Sequence, residues 1–532
     1  MKRTIVTGAL MAPALLFCAC GTGQKEVGKN PMNIIHIMSD DHSYQTISAY
    51  GHVLGKLAPT PNLDRLASEG MLFRQAFVEN SLSTPSRACL MTGLYSHQNG
   101  QRQLGKGIDT TKVFFSEILR EHGYQTAVVG KWHMQCEPKG FDFYRILKGQ
   151  GEYYNPTFKG SDSNGQYIKE EGYVSECITN HALEFLEGRD KDKPFCLLVH
   201  HKAPHRNWMP PVKYLDLYED VEFPYPETFY DDYATRCDAA RTQEMNIKNS
   251  ITMAYDMKVV EWANQNVEID AKSDLKKWRN AFDRLTPEQK EAWNAAYQPR
   301  NEEFIKQNLK GDELLKWKYQ RYVKDYVRCI KAIDDEVGRL IAYLEKEGLM
   351  DNTVIVYTSD QGYYMGEHGW FDKRFMYEES FHTPLIIRYP GKIKGGSECS
   401  ALVQNLDYAP TYLDIAGIEK PDYMEGSSLV PLLSGETPKD WREYLYYHYY
   451  DYPATHMVRR HDGVRDNRYK LIHFYGEKDQ KRNAINCSEL YDLRNDPNEL
   501  NNLYDNPEYL ETQIRLQKRL DKFRSDLNVD EY

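Results

Sequence analysis

Short runs of apolar, mostly β-branched residues alternate along the chain with segments that have a helical pattern of polar and apolar positions. The runs at 33–38, 126–129, 195–199 and 353–357 are apolar at nearly every position, which predicts strands buried on both faces. Residues 322–346 place apolar side chains at helical spacing and predict an amphipathic helix. This alternation is typical of an α/β protein with a large, mostly parallel sheet covered by helices on both faces.

Two parts of the chain depart from this alternation. Residues 212–320 are polar and rich in Tyr and Trp, and they predict a largely helical insertion. After residue 435 the pattern changes to short aromatic-rich strands such as 468–474, followed by a final helix near 508–526. We therefore expect a main domain over 31–435 and a smaller α+β subdomain with an antiparallel sheet over 436–532.

The N-terminus has the pattern of an export signal. Lys2 and Arg3 precede an apolar run at 5–17 that is too short to span a membrane, and residues 18–21, Cys-Ala-Cys-Gly, resemble a bacterial lipobox with Cys20 as the lipidated residue. We expect residues 1–20 to be a lipoprotein-type signal peptide, with ordinary signal-peptidase cleavage as the alternative. The protein is then exported as a periplasmic or cell-surface lipoprotein of a bacterium, with a possible lipid anchor.

Composition narrows the class of protein. The 532 residues are 41% apolar and 27% charged, with 40 Tyr and 8 Trp, which argues against a disordered chain. The formal net charge of −11 argues against a nucleic-acid partner, although it does not describe any single pocket. Eight cysteines follow Cys20, but their wide spacing fits no zinc or redox motif and predicts no particular disulfide.

A compact polar motif at residues 83–93, STPSRACLMTG, predicts a short helix with chemistry at its start. Ser83 or Thr84 can cap the helix, Pro85 suits its first turn and Gly93 can end it. A capped surface helix accounts for those residues. It does not account for Arg87, which lies one turn after Ser83 and brings a cation toward the same hydroxyl. This arrangement favours an anion held beside a nucleophile.

Polar pairs follow two of the predicted strands. Asp40 and Asp41 come after the strand at 33–38, and Asp360 and Gln361 come after the strand at 353–357. Either pair alone is most simply a turn or a helix cap. Because open parallel sheets bind ligands at the carboxyl ends of their strands, the two pairs together offer an all-oxygen cluster. Ca²⁺ or Mg²⁺ suits that cluster better than zinc, since no Cys or His belongs to it.

Cationic side chains follow the other strands. Lys131 and His133 come after 126–129, Lys202 and His205 come after 195–199, and Lys373 lies shortly after the second polar pair. One such residue alone is usually solvated in a loop. A cation, carboxylates, lysines and histidines around one hydroxyl form a site for a tetrahedral oxyanion ester, because metal and lysine charges stabilise negative charge on the transferring group.

These motifs together resemble the type I sulfatases of the alkaline-phosphatase-like superfamily. The family motif is Ser/Cys-x-Pro-Ser-Arg, then four residues of which the last two are apolar, then Thr-Gly, and it is met in full at 83–93. The other matches, spread from about residue 33 to residue 503, are Asp40-Asp41, Gly130-Lys131-Trp132-His133, Ala203-Pro204-His205, Ser359-Asp360-Gln361-Gly362, Gly366-Glu367-His368-Gly369, Lys373 with Tyr377-Glu378-Glu379-Ser380, and Leu490-Tyr491-Asp492-Leu493 with Asp496-Pro497.

The resemblance implies that residues 31–435 form the catalytic domain and that Ser83 is oxidised to formylglycine. The formylglycine hydrate of such enzymes supplies one hydroxyl to attack sulfur and a second to expel sulfate from the covalent intermediate. Because position 83 is Ser rather than Cys, the resemblance implies maturation by an anaerobic radical-type enzyme before export. Arg87 then supports the hydrate.

The remaining roles are also implied by position in the family motifs. One Ca²⁺ is held by Asp40, Asp41, Ser83, Asp360 and Gln361. In addition, Lys131 and Lys373 bind sulfate oxygens, His133 helps to deprotonate the hydrate, and His205 protonates the leaving alcohol.

Two positions depart from the family pattern. Gln361 stands where Asn or His is also common, and its amide oxygen lies one methylene further out than that of Asn. His382 stands where Arg is frequent, so its role is left open.

Two further stretches, 203–210 and 463–475, are similar to those of the N-acetylglucosamine-6-sulfatase branch. This similarity implies removal of 6-O-sulfate from glucosamine units of host glycosaminoglycans or mucin glycans. The alternatives are a sulfatase for another sugar sulfate, a phosphoryl-ester hydrolase on the same fold, and a catalytically silent glycan-binding lipoprotein. A phosphoryl-ester hydrolase has no need of the 83–93 motif, and a silent protein would have lost residues of the central set.

Overall fold

The computed structural model of the protein describes Met1, residues 31–266 and residues 272–532. The predicted signal peptide and Cys20 lie outside the described residues. None of the described helices is long and apolar enough to cross a bilayer.

The chain forms three sheets. Their strands are β1 (Asn33–Ser39), β2 (Met71–Phe73), β3 (Ala76–Phe77), β4 (Gln125–Gly130), β5 (Phe143–Leu147), β6 (Thr157–Gly160), β7 (Tyr167–Lys169), β8 (Phe195–His201), β9 (Thr353–Ser359), β10 (Leu385–Arg388), β11 (Ser397–Cys399), β12 (Val403–Gln404), β13 (Leu445–Tyr449), β14 (His461–Arg465), β15 (Tyr469–Gly476) and β16 (Ile485–Asp492).

Helices cover the sheets. They are α1 (Val53–Leu57), α2 (Pro61–Glu69), α3 (Ser83–Thr92), α4 (Ser96–Asn99), α5 (Phe115–Glu121), α6 (Val174–Gly188), α7 (Asp238–Thr242), α8 (Ile247–Ser250), α9 (Val260–Gln265), α10 (Lys272–Phe282), α11 (Pro287–Gln307), α12 (Gly311–Lys346), α13 (Glu378–Phe381), α14 (Tyr408–Ile415) and α15 (Leu510–Asp526).

The largest sheet has ten strands in the order β11-β2-β10-β9-β1-β8-β4-β5-β6-β7. Its five central strands, from β9 to β5, pair in parallel. β10 pairs with β9, and β6 with β5, in the antiparallel sense, so the sheet is mixed with a parallel centre. The predicted α/β fold with a large parallel sheet is confirmed, and all four predicted strands belong to its centre.

The central strands are buried on both faces because alternate side chains enter two different cores. Ile35 and Leu197 pack with α6, α12 and the helices of the insertion. Ile34 and Leu198 point the other way and pack with α3, α5 and α14. This two-sided burial explains why the strands are apolar at nearly every position.

The C-terminal sheet is separate and antiparallel, in the order β13-β14-β15-β16. Leu516 and Leu520 of α15 pack on one face against Leu471. The other face contacts the main domain, where Phe474 packs with Phe375. The predicted antiparallel sheet and final helix are confirmed, whereas the boundary at residue 435 stays a prediction.

Residues 212–320 contain α7 to α11 and the first turns of α12, which begins before the predicted start at residue 322. A disulfide between Cys237 and Cys487 joins this segment to the C-terminal sheet. The cysteine spacing predicted no particular pair. The two partners are 250 residues apart, so no local sequence pattern indicates that they pair.

Candidate active site

The two polar pairs meet at the carboxyl ends of β1 and β9. These strands pair in parallel with Ser39 opposite Ser359, so the residues that follow them lie side by side. The backbone N–H of Asp41 donates to Asp360 Oδ1 over 3.0 Å. Asp40, Asp41 and Asp360 are fully buried. The sheet register therefore turns two distant sequence pairs into one carboxylate cluster.

Helix α3 brings Ser83 to this cluster. The Ser83 hydroxyl donates to Asp40 Oδ1 over 2.9 Å, and the side chain is 2% exposed. The predicted cap is wrong, because Leu82 occupies the N-cap position and makes no side-chain cap. Ser83 is already the first helical residue, so its hydroxyl is directed to the carboxylate rather than back to the helix. Gly93 ends the helix in the left-handed conformation as predicted, with φ +66°.

Arg87 lies one turn further along α3 and is buried in the same cluster. Its guanidinium donates to Asp360 Oδ2 over 3.0 Å and to the carbonyl oxygen of Lys131 over 2.8 Å. Among the contacts of the described residues, none joins Arg87 directly to Ser83. The guanidinium thus binds the carboxylate of Asp360. The expected support of a hydrate at position 83 by Arg87 stays a prediction.

The two predicted sulfate-binding lysines face the first carboxylate pair. Lys131 follows β4 and donates to Asp40 Oδ2. Lys373 donates to both carboxylate oxygens of Asp41, at 2.7 Å each. Burial works against ionisation of Asp40, but the charges of Lys131 and other cations hold its pKa well below the usual range. The site therefore concentrates positive charge where an oxyanion could bind.

The two histidines reach the site from separate strand ends. His133 lies after β4, and its Nδ1 is 3.2 Å from Thr84 Oγ1, next to Ser83. Burial, reinforced by the charge of Lys131, lowers the pKa of His133 to about 3. His133 is therefore neutral near pH 7, and one nitrogen of its ring carries no hydrogen.

His205 follows β8 and contacts the cluster at Asp41. Its Nε2 lies 3.8 Å from Asp41 Oδ2, and its Nδ1 lies 2.8 Å from the carbonyl oxygen of Arg206. Since a carbonyl only accepts, Nδ1 carries the hydrogen and Nε2 is left to exchange a proton. Burial and the neighbouring lysines lower the pKa of His205 well below the usual value.

Gln361 supplies the observation that tests the fit to a metal. Its amide nitrogen donates to Asp41 Oδ1, while its Oε1 is buried and has no hydrogen-bond partner. Ligand atoms of Asp40, Asp41 and His205 lie within 4.8 Å of one another. An unpartnered amide oxygen beside buried carboxylates fits a hard cation. The imidazole of His205 also adjoins this group, which the sequence had predicted as all-oxygen.

The structure thus brings every predicted site residue into one connected cluster, with His133 joined to it through Thr84. His382 is different. Its ring packs against Tyr44, with centroids 4.2 Å apart, and against Phe77 at 5.1 Å. No contact of His382 with the carboxylates is found among the described residues, so it belongs to the aromatic packing beside the site.

The sequence placed Lys202 among the cationic residues that follow the strands but assigned it no role of its own. Its side chain is 4% exposed, and its ammonium lies 4.8 Å from the centre of the Tyr153 ring. The available signal was its position after a predicted strand, three residues before His205. Tyr153 had no signal at all, because its place beside Lys202 depends on the packing of a distant loop.

An α/β fold with this carboxylate, lysine and histidine cluster at the strand ends has the arrangement that the sequence predicted for a sulfatase. The sulfatase family model matches residues 32–418, and the model of the C-terminal part of N-sulphoglucosamine sulphohydrolase matches residues 366–526. The chain belongs to the sulfatase family, and the predicted enzyme class, a sulfuric ester hydrolase, is confirmed. Members of the sulfatase family in general use a metal ion and a formylglycine.

Particular relatives extend the likeness. The chain is 46% identical to an N-acetylglucosamine-6-O-sulfatase of Bacteroides thetaiotaomicron over 98% of this chain and 91% of that protein. It is 26% identical to the human N-acetylglucosamine-6-sulfatase over 81% of this chain and 70% of that protein. A solved structure in complex with its substrate, D-glucosamine-2-N,6-O-disulfate, matches with a TM-score of 0.88 and 45% identity, covering 94% of this chain and 99% of that one.

Proposed function

We propose that the protein hydrolyses the 6-O-sulfate ester of N-acetylglucosamine or glucosamine in glycosaminoglycans or mucin glycans. The observation that carries the proposal is the match along nearly the whole chain to a bacterial N-acetylglucosamine-6-O-sulfatase. A neighbour of nearly the same fold binds a glucosamine that carries a 6-O-sulfate. The connected cluster around Ser83 supplies the chemistry that such a reaction needs.

The proposal includes oxidation of Ser83 to formylglycine by a dedicated maturing enzyme. When present, the formylglycine hydrate supplies a hydroxyl that attacks sulfur and a second hydroxyl that releases the sulfate. Ser83 supports this assignment, because it lies within hydrogen-bond distance of Asp40 at the start of a helix. The active protein should carry a residue-83 peptide that is lighter than the encoded one by two hydrogen atoms, and it should react with carbonyl reagents. Full activity of protein with wholly unmodified Ser83 would contradict this part.

We assign the metal as one Ca²⁺ ion. Asp40, Asp41, Asp360 and Gln361 would hold it together with residue 83. Hard oxygen donors favour Ca²⁺ or Mg²⁺ over zinc. When bound, the ion would add positive charge beside the transferring group.

The protein's own side chains account for the rest of the reaction. Lys131 and Lys373 present ammonium groups on two sides of the carboxylate pair and would bind the sulfate oxygens. His133, neutral and next to Thr84, would accept the proton that leaves residue 83. His205 would deliver a proton from Nε2 to the leaving sugar oxygen, since an anionic ester beside the ring favours its protonated form.

The location of the protein is also part of the proposal. The lipobox-like sequence at 18–21 supports export and lipidation at Cys20, which suits an enzyme that meets host glycans outside the cytoplasm. Cys20→Ala should leave the protein unable to incorporate labelled fatty acid in the bacterial host. Unchanged labelling of that variant would contradict the anchor.

The substrate is tested with a panel of desalted monosaccharides. Each carries one sulfate, either at the 2-N position of glucosamine or at the 3-O, 4-O or 6-O position of glucosamine, N-acetylglucosamine or N-acetylgalactosamine, and sulfate release is measured. We expect turnover of the glucosamine and N-acetylglucosamine 6-O-sulfates, and none by Ser83→Ala. Preferred release from another position would overturn the assigned substrate, and faster hydrolysis of the matching phosphate esters would overturn the assigned reaction.

A further inference from the structure

The side chain of Lys202 is almost completely buried and has no ion-pair partner among the described residues. Its side chain is 4% exposed, yet no hydrogen bond or ion pair to its ammonium is found among the described residues. The ammonium lies over the face of the Tyr153 ring, 4.8 Å from the ring centre. Burying an unpaired charge costs free energy unless a ligand or partner compensates it. The position of Lys202 is therefore better suited to ligand binding than to stability.

The surroundings of Lys202 place it beside the reaction centre. Lys202 follows β8, and the backbone N–H of His205 donates to its carbonyl oxygen over 3.1 Å. Burial and the charge of Lys131 lower the pKa of Lys202 to about 8, while the charges of Asp40 and Asp41 act in the opposite direction. The Lys202 charge also acts on His205. The ammonium is thus within electrostatic reach of both the sulfate-binding lysine and the predicted acid.

A hydrogen-bond acceptor without a partner lies on the opposite loop. Glu152 stands between β5 and β6, next to Tyr153, and its carboxylate acts electrostatically on Lys202. The Glu152 Oε2 atom is buried and has no hydrogen-bond partner. Its other oxygen lies 3.4 Å from Arg284 of the insertion. Lys202 and Glu152 thus both adjoin Tyr153, Lys202 over its ring and Glu152 next to it in the chain, and neither the Lys202 ammonium nor Glu152 Oε2 has a hydrogen-bond partner among the described residues.

Contacts with neighbouring elements hold Tyr153 and Glu152 in place. The Tyr153 hydroxyl donates to the carbonyl oxygen of His205 over 2.5 Å, which ties the two loops together. Arg284 donates to the carbonyl oxygens of Tyr154 and Asn155 and braces the loop that carries Glu152. The helical insertion thus helps to position Glu152 and Tyr153 beside the catalytic cluster.

We propose that Lys202 and Glu152 form the sugar-binding subsite, where they bind hydroxyl or amide groups of the sugar that carries the scissile ester. A sugar hydroxyl both accepts and donates, so it matches an ammonium on one side and a carboxylate on the other. This inference rests on the proposed function and identifies residues that recognise the sugar rather than the sulfate.

The experiment compares a sugar sulfate with an aryl sulfate that has no sugar hydroxyls. Steady-state kinetics are measured on N-acetylglucosamine-6-sulfate and on 4-nitrophenyl sulfate for the wild type, Lys202→Met, Glu152→Gln and the double variant. We expect each single variant to lose about 10- to 100-fold in kcat/KM on the sugar sulfate, mostly through KM. On the aryl sulfate the change should stay below about threefold. The double variant should lose less than the product of the single losses, because both residues bind the same ligand.

The controls separate binding from folding. Lys193→Met removes a half-exposed ammonium that pairs with Asp190, at 3.5 Å, and it should leave the hydrolysis of both substrates unaffected. If Lys202→Met does not fold, Lys202→Arg keeps the charge but changes its shape. That variant should raise KM on the sugar sulfate alone, with thermal unfolding unchanged.

Two results would overturn the proposed subsite, and a third would overturn the proposed function instead. Equal losses on the two substrates would mean that Lys202 acts on the sulfuryl group, and unchanged kinetics on both would mean that the pair does not bind substrate. Wild-type protein that does not hydrolyse N-acetylglucosamine-6-sulfate but hydrolyses another sugar sulfate would contradict the proposed function. The same variants are then tested on that sugar sulfate, with the same expected difference from the aryl sulfate.

Discussion

The ion pair between Arg87 and Asp360 offers a direct test of how the site is built. The two side chains are 1% and 0% exposed, and the guanidinium lies 3.0 Å from the carboxylate. Arg87→Met leaves Asp360 buried without this partner and also removes the donor to the Lys131 carbonyl oxygen. Breaking a buried pair by removing one partner costs about 3–5 kcal/mol. We expect that loss in the free energy of unfolding.

The assay is urea unfolding followed by circular dichroism, in excess chelator so that cation binding does not add to stability. Asp360→Asn and the double variant complete a cycle. Because Asp360→Asn removes the charge that Arg87→Met leaves unpaired, the double variant should lose less than the sum of the single losses, by about 2 kcal/mol.

An exposed pair provides the matched control. Lys522 lies 2.8 Å from Asp526 on α15, with side chains 59% and 55% exposed. Lys522→Met should cost less than about 0.5 kcal/mol, because surface pairs contribute little. Single losses as small as this at Arg87, or additive losses in the cycle, would refute the view that a buried charge network holds the cluster together.

Three further predictions follow from the geometry. His205→Ala should lose about 10²- to 10⁴-fold on a sugar sulfate and much less on 4-nitrophenyl sulfate, whose leaving group needs no proton; equal losses in steady-state kinetics would exclude the acid role. A strong chelator should abolish sulfate release and lower the unfolding temperature, and Ca²⁺ should restore both; full activity of metal-free protein would contradict the metal site. Burial opposes ionisation of Asp462, but two 2.7 Å hydrogen bonds from Arg524 outweigh it and hold the Asp462 pKa below the usual range. That stabilisation is present above the unfolded pKa of about 4 and is lost as the pH falls through the folded value. The stability difference between the wild type and Arg524→Met should therefore shrink in urea unfolding from pH 7 to about pH 3; a constant difference would contradict it.

The sequence by itself determined the local elements and the residue types at their ends. Apolar runs predicted the four central strands, because a strand buried on both faces must be apolar at successive positions. The motif at 83–93 predicted α3 and its end at Gly93, since a left-handed residue at a helix end favours glycine. The rule that parallel sheets bind ligands at their carboxyl ends then placed Asp40 and Asp360 in one site.

Only the tertiary structure decided which side chains contact each other. The Arg87 guanidinium reaches Asp360 across 273 residues of sequence, and the disulfide joins Cys237 to Cys487 across 250. Local sequence patterns do not indicate such long-range contacts, because these contacts depend on sheet register and on how the helices pack. For the same reason the Ser83 hydroxyl, expected to cap its helix, instead donates to Asp40.

The placement of Lys202 beside Tyr153, the neighbour of Glu152, shows the same limit. Lys202 follows a central strand, which the pattern of apolar residues predicted, but the other two residues lie on a loop after β5. That loop reaches the site because Arg284 of the insertion donates hydrogen bonds to its backbone. The polar composition of the insertion predicted helices, but not which loop they would hold. Short-range periodicity specifies secondary structure, whereas long-range packing specifies the walls of the site.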